Sequence, residues 1–339
     1  MTTPTQTDAE GNLLDVVETT AAAADAQLVG RSPGQLAWAR LRRNKTAIGC
    51  AVIVVVYFIV AFSAPLISKL YGQDAYTTYG LNTYGLLDAS GTPTGAFGGI
   101  SSSHWLGIEP GLGRDVFMLL IYGIRTTLLI SIAACILSTL IGVFVGIVQG
   151  YLGGKTDYFL GRLTDLMMGF PNQLFLIAFT PVILALFVSS SENTPTWLRA
   201  SALIIVQVLL GWMALSRLLR AMTLSLRERE FIEAAKITGA SPWRIVWREL
   251  MPNLGSTILV QTTLGLSGFV TTEAGLSFLG VGMTEPTPDW GRLFNDAVPF
   301  YDTDTFFLLV PGIALMIFTI AFNLLGDAVR DAYDPKLAR

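Results

Sequence analysis

The chain has 339 residues, 52% of them hydrophobic and only 14% charged, with a formal net charge of −3. A soluble domain carries about 25% charged residues, so the composition is that of a membrane protein, and the slightly acidic balance gives no basis for nucleic-acid binding. Both cysteines, Cys50 and Cys135, fall in apolar stretches and read as packed small residues rather than a disulfide or metal pair, and the single His104, in a polar loop, builds no metal site alone.

Residues 1–30 are rich in Ala and Thr, carry five acidic residues and have no Lys or Arg. They lack the basic start and apolar core of a signal peptide and read as a disordered acidic tail. Residues 31–70 hold a basic amphipathic segment and a first span. Trp38 and Leu41 lie among Arg40, Arg42, Arg43 and Lys45, as at a membrane surface, although the charge alone also serves as a topology signal. The apolar run 46–67 is long enough to cross a bilayer, and Pro65 and Lys69 mark its end.

Residues 71–115 form a polar loop rich in Gly, Ser and Thr, long enough for a small folded or docked element. A core of five further spans is expected over 116–326. The second span covers 116–149. In it Gly142, Gly146 and Gly150 repeat every four residues on one helix face, either as a close-packing seam or as chance spacing. The third covers 157–188, opens with Arg162 and Asp165 on one face, and should bend at Gly169-Phe170-Pro171. A short polar loop at 189–198 precedes the fourth span, 199–226. The fifth starts near Asn253, carries Gly265 and Gly268, and ends in a Gly-broken stretch, 275–280, that suggests a re-entrant or capping piece. A loop at 284–303 leads to the sixth span, 304–325, and a polar tail at 327–339.

Six spans put both termini on one side. Of the 22 Lys and Arg, 17 lie in the N-terminal region, at 155–162, at 217–248 and after Gly326. The positive-inside rule places these in the cytoplasm and the 71–115 loop outside. No internal repeat suggests an inverted-repeat secondary transporter.

The charged segment 226–252 is the most informative. Residues 227–237 are helix formers without Gly or Pro, Gly239 suits a left-handed helix end, and Ser241-Pro242 is an N-cap followed by Pro at the first helical position. A second helix should run from Pro242 to Pro252, which cannot continue it without a kink. The segment is either a plain connector or a docking surface. Ala234, Ala235 and Gly239 permit close approach, and Arg227, Glu228, Arg229, Glu230, Glu233 and Lys236 can pair across an interface.

Catalytic chemistry is not visible. Gly150 to Thr156 looks like a phosphate-binding loop, but that motif needs Gly at position 149, where Gln stands, and a preceding strand. If transport needs ATP, another subunit must bind it. No metal cluster or catalytic constellation is evident, and no cofactor is expected. Glu273 is the foremost intramembrane polar residue: it lines a pore or gate, or it is an interhelical hydrogen-bonding group. Gln207, Gln261 and Asn323 are weaker candidates that favour packing.

The segment also resembles the EAA loop of ABC importer permeases: Glu233-Ala234-Ala235, three residues, Gly239, then Met251-Pro252, with departures at Glu249 and Met251. Arg43-Asn44-Lys45, Ala64 to Ile67, Gly113-Arg114-Asp115, Gly150 to Gly154, Phe170-Pro171, Glu273 to Gly280, Pro286 to Gly291, Leu325 to Asp331 and Asp334-Pro335 are similar to the C-type subunits of dipeptide/oligopeptide permeases. The resemblance covers residues 31–335. It implies an all-α membrane protein of type I importer architecture, with six transmembrane helices and a cytoplasmic coupling helix. It further implies a second, homologous permease, two ABC ATPases docked through Glu233, Ala234, Ala235, Gly239 and Pro252, and an external substrate-binding protein. Cargo would be peptides, or nickel or glycosides in closely similar systems. A channel, a secondary transporter or a purely structural subunit are the readings outside this family.

Overall fold

The computed structural model describes residues 33–83, 85–187 and 194–334. The acidic tail expected over 1–30 lies outside the described residues, as do 335–339 and the first part of the expected 189–198 loop. Among the described residues the chain is helical, with two isolated β-bridges, Leu87 to Pro93 and Ile108 to Asp115.

Helix α1 (Pro33–Leu41) is the basic amphipathic segment. Ala37 is buried while Trp38 stays exposed, with the Arg42 guanidinium 5.6 Å above its ring. Helix α2 (Lys45–Phe62) begins at Asn44, whose Oδ1 accepts the Ala47 amide at 3.1 Å. Ala47, Cys50, Val54 and Ala61 form its buried face, and Val52, Val55, Val56 and Ile59 are exposed. An exposed apolar face of this kind suits lipid, which replaces water as solvent. The run expected over 46–67 breaks at Ser63, and α3 (Ala64–Tyr71) starts afresh with Pro65 in its first turn. Pro65 has no amide to give the carbonyl four residues back.

The 72–115 segment is a folded element with one helical turn, α4 (Tyr79–Asn82). At its centre His104 is buried, its Nδ1 2.8 Å from Oδ2 of Asp115. Asp115 also starts α5 (Val116–Leu152) by accepting the Met118 amide at 2.8 Å. With 37 residues, α5 is about 55 Å long and forms the central column.

Helices α6 (Gly154–Met168) and α7 (Asn172–Ala185) meet at 92° across Gly169-Phe170-Pro171, where the sequence anticipates a bend. Helices α8 (Thr196–Gly211) and α9 (Met213–Leu226) make one apolar span of 31 residues. After α10 (Glu230–Ile237), α11 (Pro242–Ile245) begins a helix that passes Pro252, and the irregularity expected there takes the form of a wider turn. A π-turn over Val246–Leu250 carries the helix into α12 (Met251–Phe278). The Met251 amide bonds the Val246 carbonyl, five residues back, and this widened turn accommodates a proline that lacks its own amide.

Two further expectations are corrected. Helix α12 passes through Gly275 unbroken, with no re-entrant piece, and Gly280 at φ +79° follows its end. A helical Gly costs about 1 kcal/mol, less than unpaired backbone groups in lipid. The 284–303 loop contains a buried helix, α13 (Trp290–Ala297), and α14 (Thr305–Tyr333) runs through most of the expected polar tail. Arg40 caps that end of α14, its Nη1 donating to the carbonyls of Ala332 at 3.1 Å and Asp334 at 2.9 Å. Among the described residues five helical segments are long and apolar enough to cross a membrane, and six if the bent α6–α7 pair counts as one.

Among the described residues five apolar clusters hold the bundle around α5, three of them large. Cys50, Leu128, Val270, Trp290 and Phe318 join α2, α5, α12, α13 and α14. Ile130, Leu176, Leu203 and Leu276 join α5, α7, α8 and α12. Val143, Ile147, Leu219, Ile232, Ile245 and Leu250 join α5 and α9 to the segment that follows α9.

Candidate functional site: an exposed helix between two spans

Helix α10 opens with Glu230 and Glu233 in its first turn and closes with Lys236 in its last, charges that complement the helix dipole. Its inner face is a single anchor, Ile232, fully buried beside Ile147, Leu219 and Leu250. Its outer surface presents Phe231, Glu233, Ala234, Lys236 and Ile237, and Ile237 is 86% exposed. Among the described residues Arg229, Glu230, Glu233 and Lys236 make no ion pair, and Arg227 pairs with Glu228 at 2.9 Å.

The helix end is built by backbone geometry. Gly239 has φ +80°, and the Ala240 amide bonds back to Ala235 O at 3.0 Å, the closing bond of a Schellman turn. A Cβ on Gly239 would touch nothing within 4 Å, so the conformation rather than space requires glycine. Ser241 Oγ then accepts the Arg244 amide at 3.4 Å, with Pro242 in the first turn. Pro252 lies at the start of α12, just after the π-turn.

The segment is braced from the bundle. Arg220 on α9 forks onto Asp157 on α6, Arg217 pairs with Asp165, and Arg227 Nη1 donates to Gly150 O at 3.3 Å. Arg162 and Asp165, three apart on α6, share a face as expected, with the Arg162 guanidinium 5.7 Å over the Tyr158 ring one turn back. Behind this brace α5 and α9 pack closely. An added Cβ would lie 2.8 Å from Trp212 O at Gly142, 2.6 Å from Ser216 O at Gly146, and 2.7 Å from Thr223 Cβ at Gly150.

Glu273 lies elsewhere. It is fully buried near the end of α12, and Oε1 accepts the Ser277 hydroxyl at 3.2 Å. It faces Thr127 of α5 and Asp289, the N-cap of α13. Asp289 is also fully buried, and burial pushes its carboxyl up to about 7. Thr127 Oγ1 accepts the Trp290 amide at 3.1 Å, and an added Cβ at Gly123 would lie 3.1 Å from Asp289 C. Loop 284–289 and α13 therefore plug onto α5 and α12 around these two carboxylates. Asn323 Oδ1 accepts the Ser267 hydroxyl at 2.5 Å, Gln261 is exposed, and Gln207 is buried with its Nε2 3.4 Å from Leu203 O.

Sequence reasoning missed a second charged cluster. Arg114 is buried and forks onto Glu109 at 2.5 and 2.9 Å, and its Nη1 reaches Glu285 at 3.0 Å. Glu285 also pairs with Arg292, whose Nε lies 3.3 Å from Asp296. Burial raises the Glu109 carboxyl even beside Arg114. The signal was the Gly113-Arg114-Asp115 string; Glu109 lies five residues before Arg114, but Glu285 lies 171 residues away and only the fold brings it in.

A family model for the binding-protein-dependent transport system inner membrane component matches residues 142–339. The chain belongs to this family. A model of the N-terminal transmembrane domain of oligopeptide transport permease C matches residues 32–82. Dipeptide transport system permease protein DppC of Alkalihalophilus pseudofirmus is 33% identical over 311 residues, 92% of each chain. Oligopeptide transport system permease protein OppC of Bacillus subtilis is 32% identical over 94% of this chain and 95% of its own. Glutathione transport system permease protein GsiD of Pectobacterium atrosepticum is 31% identical over 91% and 92%. Among solved structures, an inward-facing form of the MetNI methionine ABC transporter superposes with a TM-score of 0.51 at 19% identity, covering 63% of this chain and 96% of that one. That likeness shows the type I importer permease fold. As a binding-protein-dependent permease, the chain is a multi-pass inner-membrane component rather than an enzyme. It works with a partner permease, ATPase subunits that hydrolyse ATP, and a substrate-binding protein.

Proposed function

We propose that this permease admits di- and oligopeptides and that α10 is its coupling helix, seated on one of two cytoplasmic ABC ATPases. The observation that carries the docking reading is the division of α10 into one buried anchor, Ile232, and an outer surface with Ile237 almost fully exposed beside unpaired Glu233 and Lys236. An apolar residue ringed by unpaired charges outside the spans is the composition of an interface. The Gly239 turn and the π-turn at Val246–Leu250 link α10 directly to α12, so a displacement of α10 is transmitted to a span. Coupling then needs only that the ATPase hold α10 differently in its open and closed states. Positive charge at 31–45, around α10 and after Gly326 supports a cytoplasmic placement of the termini and of this surface. Peptide cargo rests on the relatives, whose names include dipeptide and oligopeptide systems at similar identity.

The test is uptake of a labelled dipeptide, together with ATP hydrolysis, by cells or vesicles carrying Gly239→Asp or Glu233→Arg. Both variants should reach the membrane at normal level, hydrolyse ATP without import and lose the ATPases in a mild-detergent pull-down. Normal uptake in both would sink the coupling role. Uptake competed by nickel and not by peptides would replace the cargo.

A further inference from the structure

A cavity of about 230 Å³ opens among the spans, bounded by Asn172 of α7, Gln207 of α8, and Gly265, Gly268, Phe269 and Thr272 of α12. Two independent features point to a ligand there. Gln207 is only 2% exposed and Oε1 has no hydrogen-bond partner among the described residues. An amide oxygen left unpaired in a low-dielectric span is costly, so a donor belongs opposite it. The second feature is the 92° break before α7. That 14-residue helix starts at Asn172, at the cavity wall, with no side chain capping its N-terminus. Its first-turn amides have no intrahelical acceptor and carry the positive end of the helix dipole. Broken backbone at membrane depth is tolerated where it lines a cavity.

The two features are complementary in kind: one acceptor, Gln207 Oε1, and one set of donors, the α7 N-terminus. A peptide main chain offers the matching pair, an N–H and a carbonyl or carboxylate oxygen. Gly265 and Gly268 form the α12 wall, and an added Cβ at either would touch nothing within 4 Å, so glycine there leaves volume rather than relieving a clash. The volume is below the roughly 300–1,000 Å³ of pockets that enclose a whole drug-sized ligand. It suits a main-chain segment in passage.

We propose that this cavity is a transit site for peptide main chain, in which Gln207 accepts a substrate N–H and the α7 N-terminus receives a substrate oxygen. The inference rests on the peptide reading above. It explains how one pathway serves varied side chains: the contacts are to groups every peptide shares.

The test is uptake of Ala-Ala and of its analogue methylated on the peptide nitrogen, by the assembled transporter in membrane vesicles. Discrimination by the binding protein is common to all variants and cancels in the ratio of the two rates. Gln207→Leu should cut Ala-Ala uptake about tenfold and leave the methylated analogue within about twofold, as expected for loss of one buried hydrogen bond. An unchanged ratio at equal membrane level would overturn the site. Should Gln207→Leu fail to insert, Gly268→Leu decides: it should block uptake of both substrates with little change in melting temperature, and wild-type uptake would overturn the site. If the unmodified transporter moves neither peptide, the peptide reading itself falls, and this site with it.

Discussion

The guanidinium of Arg220 forks onto the carboxylate of Asp157, Nε to Oδ1 at 2.5 Å and Nη2 to Oδ2 at 2.7 Å. The pair joins α9, just before the proposed coupling helix, to α6. It is partly exposed, with side-chain accessibilities of 36% and 22%, so its worth is about 1 kcal/mol and no more. Arg220→Ala and Asp157→Ala should each lower the melting temperature in detergent slightly. Their effects should be non-additive in the double variant, because each removes the same contact. Full additivity would show that the fork contributes nothing.

The α5–α9 seam should be far less forgiving. A Cβ at Gly146 would lie 2.6 Å from a backbone carbonyl that cannot rotate away, so Gly146→Ala forces the helices apart. Overpacking of this kind costs about 1–3 kcal/mol, and Gly146→Leu should abolish accumulation in the membrane. Gly265→Ala is the control, since its Cβ meets nothing within 4 Å and Ala favours helix. Quantitative membrane blots and thermal melts separate the two. Equal melts for Gly146→Ala and Gly265→Ala would refute the seam.

At Gly239 the constraint is conformational. With φ +80°, Asn should be tolerated and Val should cost about 1–2 kcal/mol of local order. Gly239 is exposed and only Ala240 of the turn packs on an apolar core, so Gly239→Val should leave the global melt nearly unchanged and disorder the 238–242 turn. Faster amide hydrogen exchange confined to α10 is the expected signature, and unaltered exchange would mean the turn holds without glycine.

Asp289 gives a pH dependence with a definite sign. Its folded carboxyl is raised to about 7 from 3.8, chiefly by burial, with Asp296 acting in the same direction. A group raised on folding contributes stability that is fully present below 3.8 and lost as pH rises through about 7. The detergent-solubilised protein should therefore melt lower at pH 8 than at pH 6. Asp289→Asn keeps an oxygen for the Arg292 amide, accepted at 2.8 Å, and should flatten that slope. Identical slopes would show that Asp289 does not titrate in this window.

Local chemistry made much of this molecule legible in the sequence. Apolar runs gave the spans, Gly169-Phe170-Pro171 the bend, and Gly239 with Ser241-Pro242 the helix–turn–helix of the α10 segment. These signals act within a turn or two of chain, through φ preference, missing amides and side-chain caps, and they do not depend on what packs against them. Where local rules failed, the membrane overrode them: lipid offers no partner for free backbone groups, so α12 passes Gly275, and a π-turn absorbs Pro252.

The sequence by itself determined a multi-span permease with an exposed charged helix, because composition, periodicity and caps are properties of the chain alone. Only the tertiary structure decided which helix the Gly142–Gly146–Gly150 seam meets, that Glu273 is buried opposite Asp289 rather than facing open space, and that Gln207, Asn172 and Gly268 share one cavity. Those relationships join residues far apart along the chain. They depend on the rotation of each helix about its axis, which is fixed when the apolar cores around α5 close.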